Sequence, residues 1–148
     1  MKSKEEIAVW EKLIAAARKI HGERKISPFI EAGSVSAALM TEKGNIYTGV
    51  CIDTACGLGM CAERSAIAAM ISAGEHEIKK ILCIMPDGSC GGTPCGACRE
   101  FMMQLSANAP AIEVLTDTES FSTVALGEMV PDWWGKKYIR LRETHEKI

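Results

Sequence analysis

The chain has 148 residues, 47% of them apolar and 24% charged, with a formal net charge of −2. That is the size and composition of one globular domain, 1–148, with enough apolar mass for a core without staples. The mild acidity gives no electrostatic reason for a nucleic-acid partner, no apolar run is long enough to span a membrane, and the N-terminal apolar residues are interrupted by Glu11, Lys12, Arg18 and Lys19, unlike a signal peptide.

Ile7, Trp10, Leu13, Ile14, Ala17 and Ile20 recur at helical spacing, which predicts an amphipathic helix over Glu5–Ile20 that ends near Gly22. A loop with Pro28 and Gly33 leads to two predicted strands, Ser34–Thr41 and Ile46–Asp53. The turn Glu42-Lys43-Gly44-Asn45 joins them as an antiparallel hairpin. Thr54–Gly59 reads as a loop, and a helix runs from Met60 to about Ala73, with Gly74 at its C-cap. Ile78–Met85 is apolar on both faces, so it is predicted as a central strand. The glycine-rich stretch Pro86–Thr93 delivers a second helix that runs to about Ala107. A strand over Ala111–Thr116 follows Pro110, Thr123–Met129 is ambiguous, and Pro131–Gly135 is a turn. Lys136–Glu146 is predicted as a closing helix. Its basic run (Lys136, Lys137, Arg140, Arg142) is diluted by Glu143 and Glu146 and reads as a solvated face. This order predicts an α/β fold, a three-layer α/β/α sandwich around a mixed sheet, with both loop-helix junctions at one sheet edge.

Seven cysteines (51, 56, 61, 83, 90, 95, 98) is an odd number in a chain that needs no disulfides. Metal-bound thiols in a reducing cytoplasm fit that count better. Cys95 and Cys98 lie three apart on a helix opened by Pro94, so their sulfurs share a face. Such a pair suits Zn²⁺, and the helix dipole favours the thiolates. Cys61 heads the earlier helix and is the third ligand candidate. Three protein ligands with a fourth position left for water describe a catalytic zinc, one ion per subunit. Glu63 then sits beside the metal without binding it. The alternative is a closed structural zinc with Cys90 or Cys56 as fourth ligand, in a binding or scaffolding protein without turnover. Glu63 has no purpose in that site. Cys83, in the central strand, reads as a core residue.

The segments Cys61-Ala62-Glu63-Arg64 and Pro94-Cys95-Gly96-Ala97-Cys98-Arg99 resemble the two halves of the zinc nucleobase deaminase signature. With cysteine in the first ligand place, the chain is similar to the small nucleosides' branch, the cytidine deaminase family, from about residue 30 to Trp134. The resemblance implies a cytidine deaminase-like fold with a five-stranded mixed sheet. It implies hydrolytic removal of the 4-amino group of a cytosine-type nucleoside, with Glu63 moving protons. It also implies that the backbone of Ala62 and the carbonyl of Thr93 hold the base edge. Arg64 is expected to hydrogen-bond the ligand sulfurs and offset their negative charge. Arg99 is the lesser candidate for that role, with a surface salt bridge as its alternative.

The resemblance thins at the substrate. Gly33-Ser34-Val35-Ser36-Ala37-Ala38 stands where the family carries Phe-x-Val-Gly-Ala-Ala, so the aromatic ring is missing. Cys51-Ile52-Asp53 replaces the family's ribose-binding Asn-x-Glu. Asp53 keeps an acceptor, whereas Cys51 cannot supply an amide's paired donor and acceptor. The Val-Ser-Ala-Ala and Tyr47-Thr48-Gly49-Val50 strands also resemble blasticidin S deaminase, so a modified cytosine or another aminated heterocycle is the alternative substrate. Leu126–Trp134 is similar to the family segment whose aromatic closes the site, often across subunits. Trp133 or Trp134 is therefore a lid candidate, with a plain anchoring role as its alternative. The resemblance implies a homo-oligomer, a tetramer before a dimer.

Overall fold

In the computed structural model, residues 1–139 are described. Helix α1 (Lys4–Ile20) opens on a capping box. The Ser3 hydroxyl accepts from the Glu6 N–H at 3.2 Å, and the Glu6 carboxylate accepts from the Ser3 N–H at 2.8 Å. Six strands follow: β1 (Arg24–Ser27), β2 (Ile30–Thr41), β3 (Ile46–Thr54), β4 (Ile78–Ile84), β5 (Glu113–Asp117) and β6 (Ser122–Ala125). Helix α2 (Ala62–Ser72) lies between β3 and β4. Helix α3 (Gly96–Met103) and a 3-10 turn at Ala109–Ala111 lie between β4 and β5, and α4 (Leu126–Met129) follows β6.

Strand β2 organises the sheet. All along one edge it pairs antiparallel with β3. Along the other edge β1 takes residues Ile30–Ala32, and β4 takes Ser36–Thr41, both antiparallel. Beyond β4 come β5, parallel to it, and β6, antiparallel to β5. The sheet is mixed and six-stranded, but five strands wide, because β1 and β4 share one edge of β2. The expected three-layer sandwich is present. Alternation sends Ala38, Leu82 and Ile84 to one face, where Trp10, Leu13 and Ala17 of α1 cover them. Ala37, Leu39, Ile81 and Cys83 go to the other face, under Ala66, Ile67 and Met70 of α2 and Met102 of α3. Strand β4 is buried at six of its seven positions, as its apolar run predicted.

Two strands place the functional end. Both β3 and β4 run antiparallel to β2, so they point the same way and end at the same sheet edge. The chain leaves each there and begins a helix, α2 after β3 and α3 after β4. Helix α2 lies directly on β3. A Cβ on Gly49 would meet Ala66 N at 2.2 Å and Ser65 C at 2.6 Å.

Two expectations need correction and one left open is resolved. The predicted loop before Ser34 contains β1 and the start of β2. Its alternation is broken by the register shift between Ala32 and Ser36, where Gly33 adopts φ +90°. The ambiguous segment resolves into the edge strand β6 and the short α4. Helix α3 ends at Met103, four residues before the predicted end at Ala107. Of the predicted closing helix, a helical turn begins at Lys136; Arg140, Arg142, Glu143 and Glu146 lie outside the described residues. No helix among the described residues is long and apolar enough to cross a membrane.

Gly49→Ala pushes a methyl group into the backbone of α2 and should destabilise the fold by about 1–3 kcal/mol. A thermal melt checks this, and an unchanged midpoint would mean that α2 does not sit on the β3 backbone.

Candidate active site

Cys61 and Cys95 are the N-cap residues of α2 and α3, and Cys98 is the third residue of α3. Their sulfurs lie within 4.8 Å of one another, with Cys61 and Cys95 3.5 Å apart. Thiolates ~2.3 Å from a tetrahedral zinc lie about 3.8 Å apart, so this set fits the ion with little movement. Neither alternative fourth ligand joins it. Cys90 is buried on the α1 face, bridged to Ile84 and packed with Trp10 and Leu13. Cys56 is exposed and lines the neighbouring cavity. Among the described residues the ligand group has three members, and its fourth corner is not filled by protein sulfur.

The local charges suit a metal held by thiolates. Burial pushes the Cys61 and Cys98 thiols up from their ordinary range; the Cys95 thiol adds to the shift at Cys61, and the Glu63 carboxylate to that at Cys98. Burial also raises Cys95, but the backbone N–H groups of Cys98 and Ala97 and the two neighbouring thiols outweigh it, and the net shift is downward. Arg64 faces this group. Its interactions with Cys61 and then Cys98 hold the guanidinium above its usual pKa against the effect of burial. Its Nε is buried without a hydrogen-bond partner among the described residues. A buried donor lacking an acceptor suits a pocket whose sulfurs become anionic when a cation binds.

A cavity of about 540 Å³ opens at the sulfurs. Glu63, the second residue of α2, lines it and is only 6% exposed. Its charge also helps burial push the Cys83 thiol up to about 12. Ala62, Thr93, Cys51 and Asp53 line the same cavity, so the expected base-edge and sugar-end residues are brought together with the metal group. Cys51 is already engaged. Its sulfur accepts from the Val35 N–H at 3.2 Å and lies 3.2 Å from the Ser34 hydroxyl, which bridges the irregular stretch of β2. Ser34 itself lines the cavity, a position that reading by residue type passed over because it lies in that irregular stretch.

Trp133 and Trp134 are not brought to this cavity within the chain. Both indole N–H groups donate to the Glu100 carboxylate at 2.9 Å, on the flank of α3. Arg99 makes no ion pair among the described residues and does not reach the sulfurs by hydrogen bond. Its Nε donates to the Pro94 carbonyl at 2.7 Å, so among the described residues it takes up neither the sulfur-supporting role nor the alternative surface salt bridge.

Residues 9–113 match the family model for the cytidine and deoxycytidylate deaminase zinc-binding region. Over 128 residues the chain is 29% identical to a cytidine deaminase of Sporosarcina psychrophila, covering 86% of this chain and 92% of the relative. A shorter stretch of 68 residues is 41% identical to a Dictyostelium discoideum protein named as a probable cytidine deaminase, covering 45% of this chain and 46% of that protein. The crystal structure of cytidine deaminase from Mycobacterium tuberculosis superposes with a TM-score of 0.68 at 26% identity, covering 85% of this chain and 97% of that one.

Replacing Cys61, Cys95 or Cys98 by serine should each abolish stoichiometric zinc binding, whereas Cys90→Ser should leave one zinc per chain. Metal analysis of the purified variants checks this. Zinc lost from Cys90→Ser would mean that the ligand set is not the three cysteines.

Proposed function

The chain belongs to the cytidine and deoxycytidylate deaminase family, and we propose that it converts the 4-amino group of a cytosine-type nucleoside to a carbonyl, releasing ammonia. The observation that carries this is a buried carboxylate, Glu63, lining one cavity with Cys61 and Cys95 of the three-sulfur group.

Cys61, Cys95 and Cys98 are the residues that would hold Zn²⁺. Bound there, the ion would lower the pKa of a water from 15.7 to about 7. Glu63 takes one proton from the attacking water and delivers it to the ring nitrogen, then takes the second from the hydroxyl now on the ring carbon and delivers it to the amine, so that the C–N bond breaks, the carbonyl forms and ammonia leaves as a neutral molecule. The backbone N–H of Ala62 and the carbonyl of Thr93 orient the amino group and ring edge. Arg64 supports the sulfurs by offsetting the charge of three thiolates. Asp53 and Cys51 lie at the sugar end, where Asp53 accepts from a hydroxyl.

A nucleoside fits this cavity better than a nucleotide. Among the described residues the charged side chains lining it are Asp53, Glu63 and Arg64, and Arg64 is committed to the sulfurs, so no described lining cation is left for a phosphate. A blasticidin-type or other amino-heterocycle substrate is the second reading. It is favoured by the absence of an aromatic at Gly33 and of an amide at Cys51, whose sulfur is already taken by the Val35 N–H. A non-catalytic zinc-stabilised scaffold is disfavoured by Glu63, which is buried beside the sulfurs and needless in a structural site.

The remaining parts of the reading are a single domain over 1–148, a cytoplasmic protein in pyrimidine salvage, and a homo-oligomer, a tetramer before a dimer. In that assembly Trp133 or Trp134, half-buried and exposed respectively on the flank of α3, would cover a neighbouring subunit's cavity.

The test is ammonia release by the zinc-loaded protein from cytidine, deoxycytidine, deoxycytidylate and blasticidin S. Turnover of a nucleoside and none of deoxycytidylate is expected. Glu63→Gln should keep its zinc and lose about 10²–10⁴-fold in kcat. Full activity in that variant would remove Glu63 from the mechanism.

A further inference from the structure

One cation in this region is used by neither the metal nor the substrate. Arg99 lies in the first turn of α3, where the helix dipole disfavours positive charge. Its side chain folds back over the helix start. Nε donates to the Pro94 carbonyl at 2.7 Å and Nη1 to the Met129 carbonyl of α4 at 3.4 Å. The Arg99 backbone N–H donates to the Cys95 carbonyl at 3.0 Å. One residue therefore fastens two consecutive carbonyls, on either side of the ligand's own peptide. Proline has no N–H, so its carbonyl is the only backbone group through which residue 94 can be held by hydrogen bonding. The bond is charge-assisted, and the guanidinium fork reaches two acceptors at once, which an ammonium at the same position cannot match in geometry.

We propose that Arg99 is a positioning residue for the turn Thr93-Pro94-Cys95. It fixes the Cys95 sulfur at its corner of the metal group and the Thr93 carbonyl at the cavity wall, and it ties both to α4. The part concerning the Thr93 carbonyl rests on the deaminase reading above. The part concerning Cys95 does not.

The experiment compares Arg99→Gln and Arg99→Lys with the unaltered protein, each loaded with zinc for kinetics and with Co²⁺ for its visible spectrum. Arg99→Gln should retain one metal per chain, raise KM for cytidine about tenfold, with a smaller loss in kcat, and shift the cobalt ligand-field bands. Arg99→Lys, with one donor able to reach the Pro94 carbonyl, should recover part of both effects. As a control, Glu128→Ala loosens α4 from its other end, where the Glu128 carboxylate accepts from the Ala125 N–H at 3.0 Å. It should lower the melting temperature and leave KM and the cobalt bands unchanged. A destabilised Arg99→Gln with unaltered KM and unaltered bands would reduce Arg99 to a packing role and overturn the proposal. Loss of metal from Arg99→Gln would overturn it as well, since Arg99 would then serve retention of the ion. If the unaltered protein does not deaminate cytidine, the deaminase reading fails by itself. The cobalt bands then decide Arg99, with a shift upholding it and identity refuting it.

Discussion

Two helix N-termini must reach the same few ångströms of space for this protein to have a site at all. The sheet satisfies that requirement. Because β3 and β4 flank β2 and both oppose its direction, the chain leaves them at one edge and starts α2 and α3 there. Each helix then presents a cysteine as its N-cap, where the backbone leaves N–H groups unpaired and the dipole favours an anion. Neither helix has a side-chain hydrogen bond closing that cap. At α3 the N–H groups of Ala97 and Cys98 instead favour the Cys95 sulfur as an anion, the form that binds a cation.

Charge then narrows what the arrangement can be. Three thiolates with a divalent ion leave one negative charge, and Glu63 adds another close by. Against these stand Arg64, turned toward Cys61 and Cys98, and about half a unit of positive charge at each helix start. The compensation is local and partial, which suits a site that must deprotonate a water without releasing the metal. The rest of the cavity lining is mostly apolar and sulfur-bearing, with Asp53 the acidic group besides Glu63 among the described residues. Selectivity thus falls on few polar contacts, and one candidate among them, the Cys51 sulfur, is already bonded to the Val35 N–H.

The metal centre was legible in the sequence because its determinants are local. Cys61 to Glu63 and Cys95 to Cys98 are fixed by helical spacing, and proline and glycines mark where those helices begin. The central strand β4 was legible for a similar reason, since burial on both faces writes a continuous apolar run. The failures lie where a residue's role depends on something distant or irregular. β1 and the first residues of β2 were hidden because the bulge around Gly33 destroys alternation. Ser34 was passed over for the same reason. Arg99 read as a lesser partner of the sulfurs or a surface ion pair, and is neither, because its acceptors are carbonyls, of Pro94 and Met129, and carbonyl positions leave no mark on residue type. Trp133 and Trp134 bond to Glu100, thirty-three and thirty-four positions away, a pairing that no local pattern encodes.

The arrangement stands or falls on the fourth corner of the metal group. X-ray absorption at the zinc edge of the purified, zinc-loaded protein reads that corner directly. Three sulfur scatterers at ~2.3 Å with one oxygen at about 2.0 Å is the expected shell. Four sulfurs, or three sulfurs with a protein nitrogen that persists in the Glu63→Gln variant, would contradict a metal open to water and with it the hydrolytic chemistry.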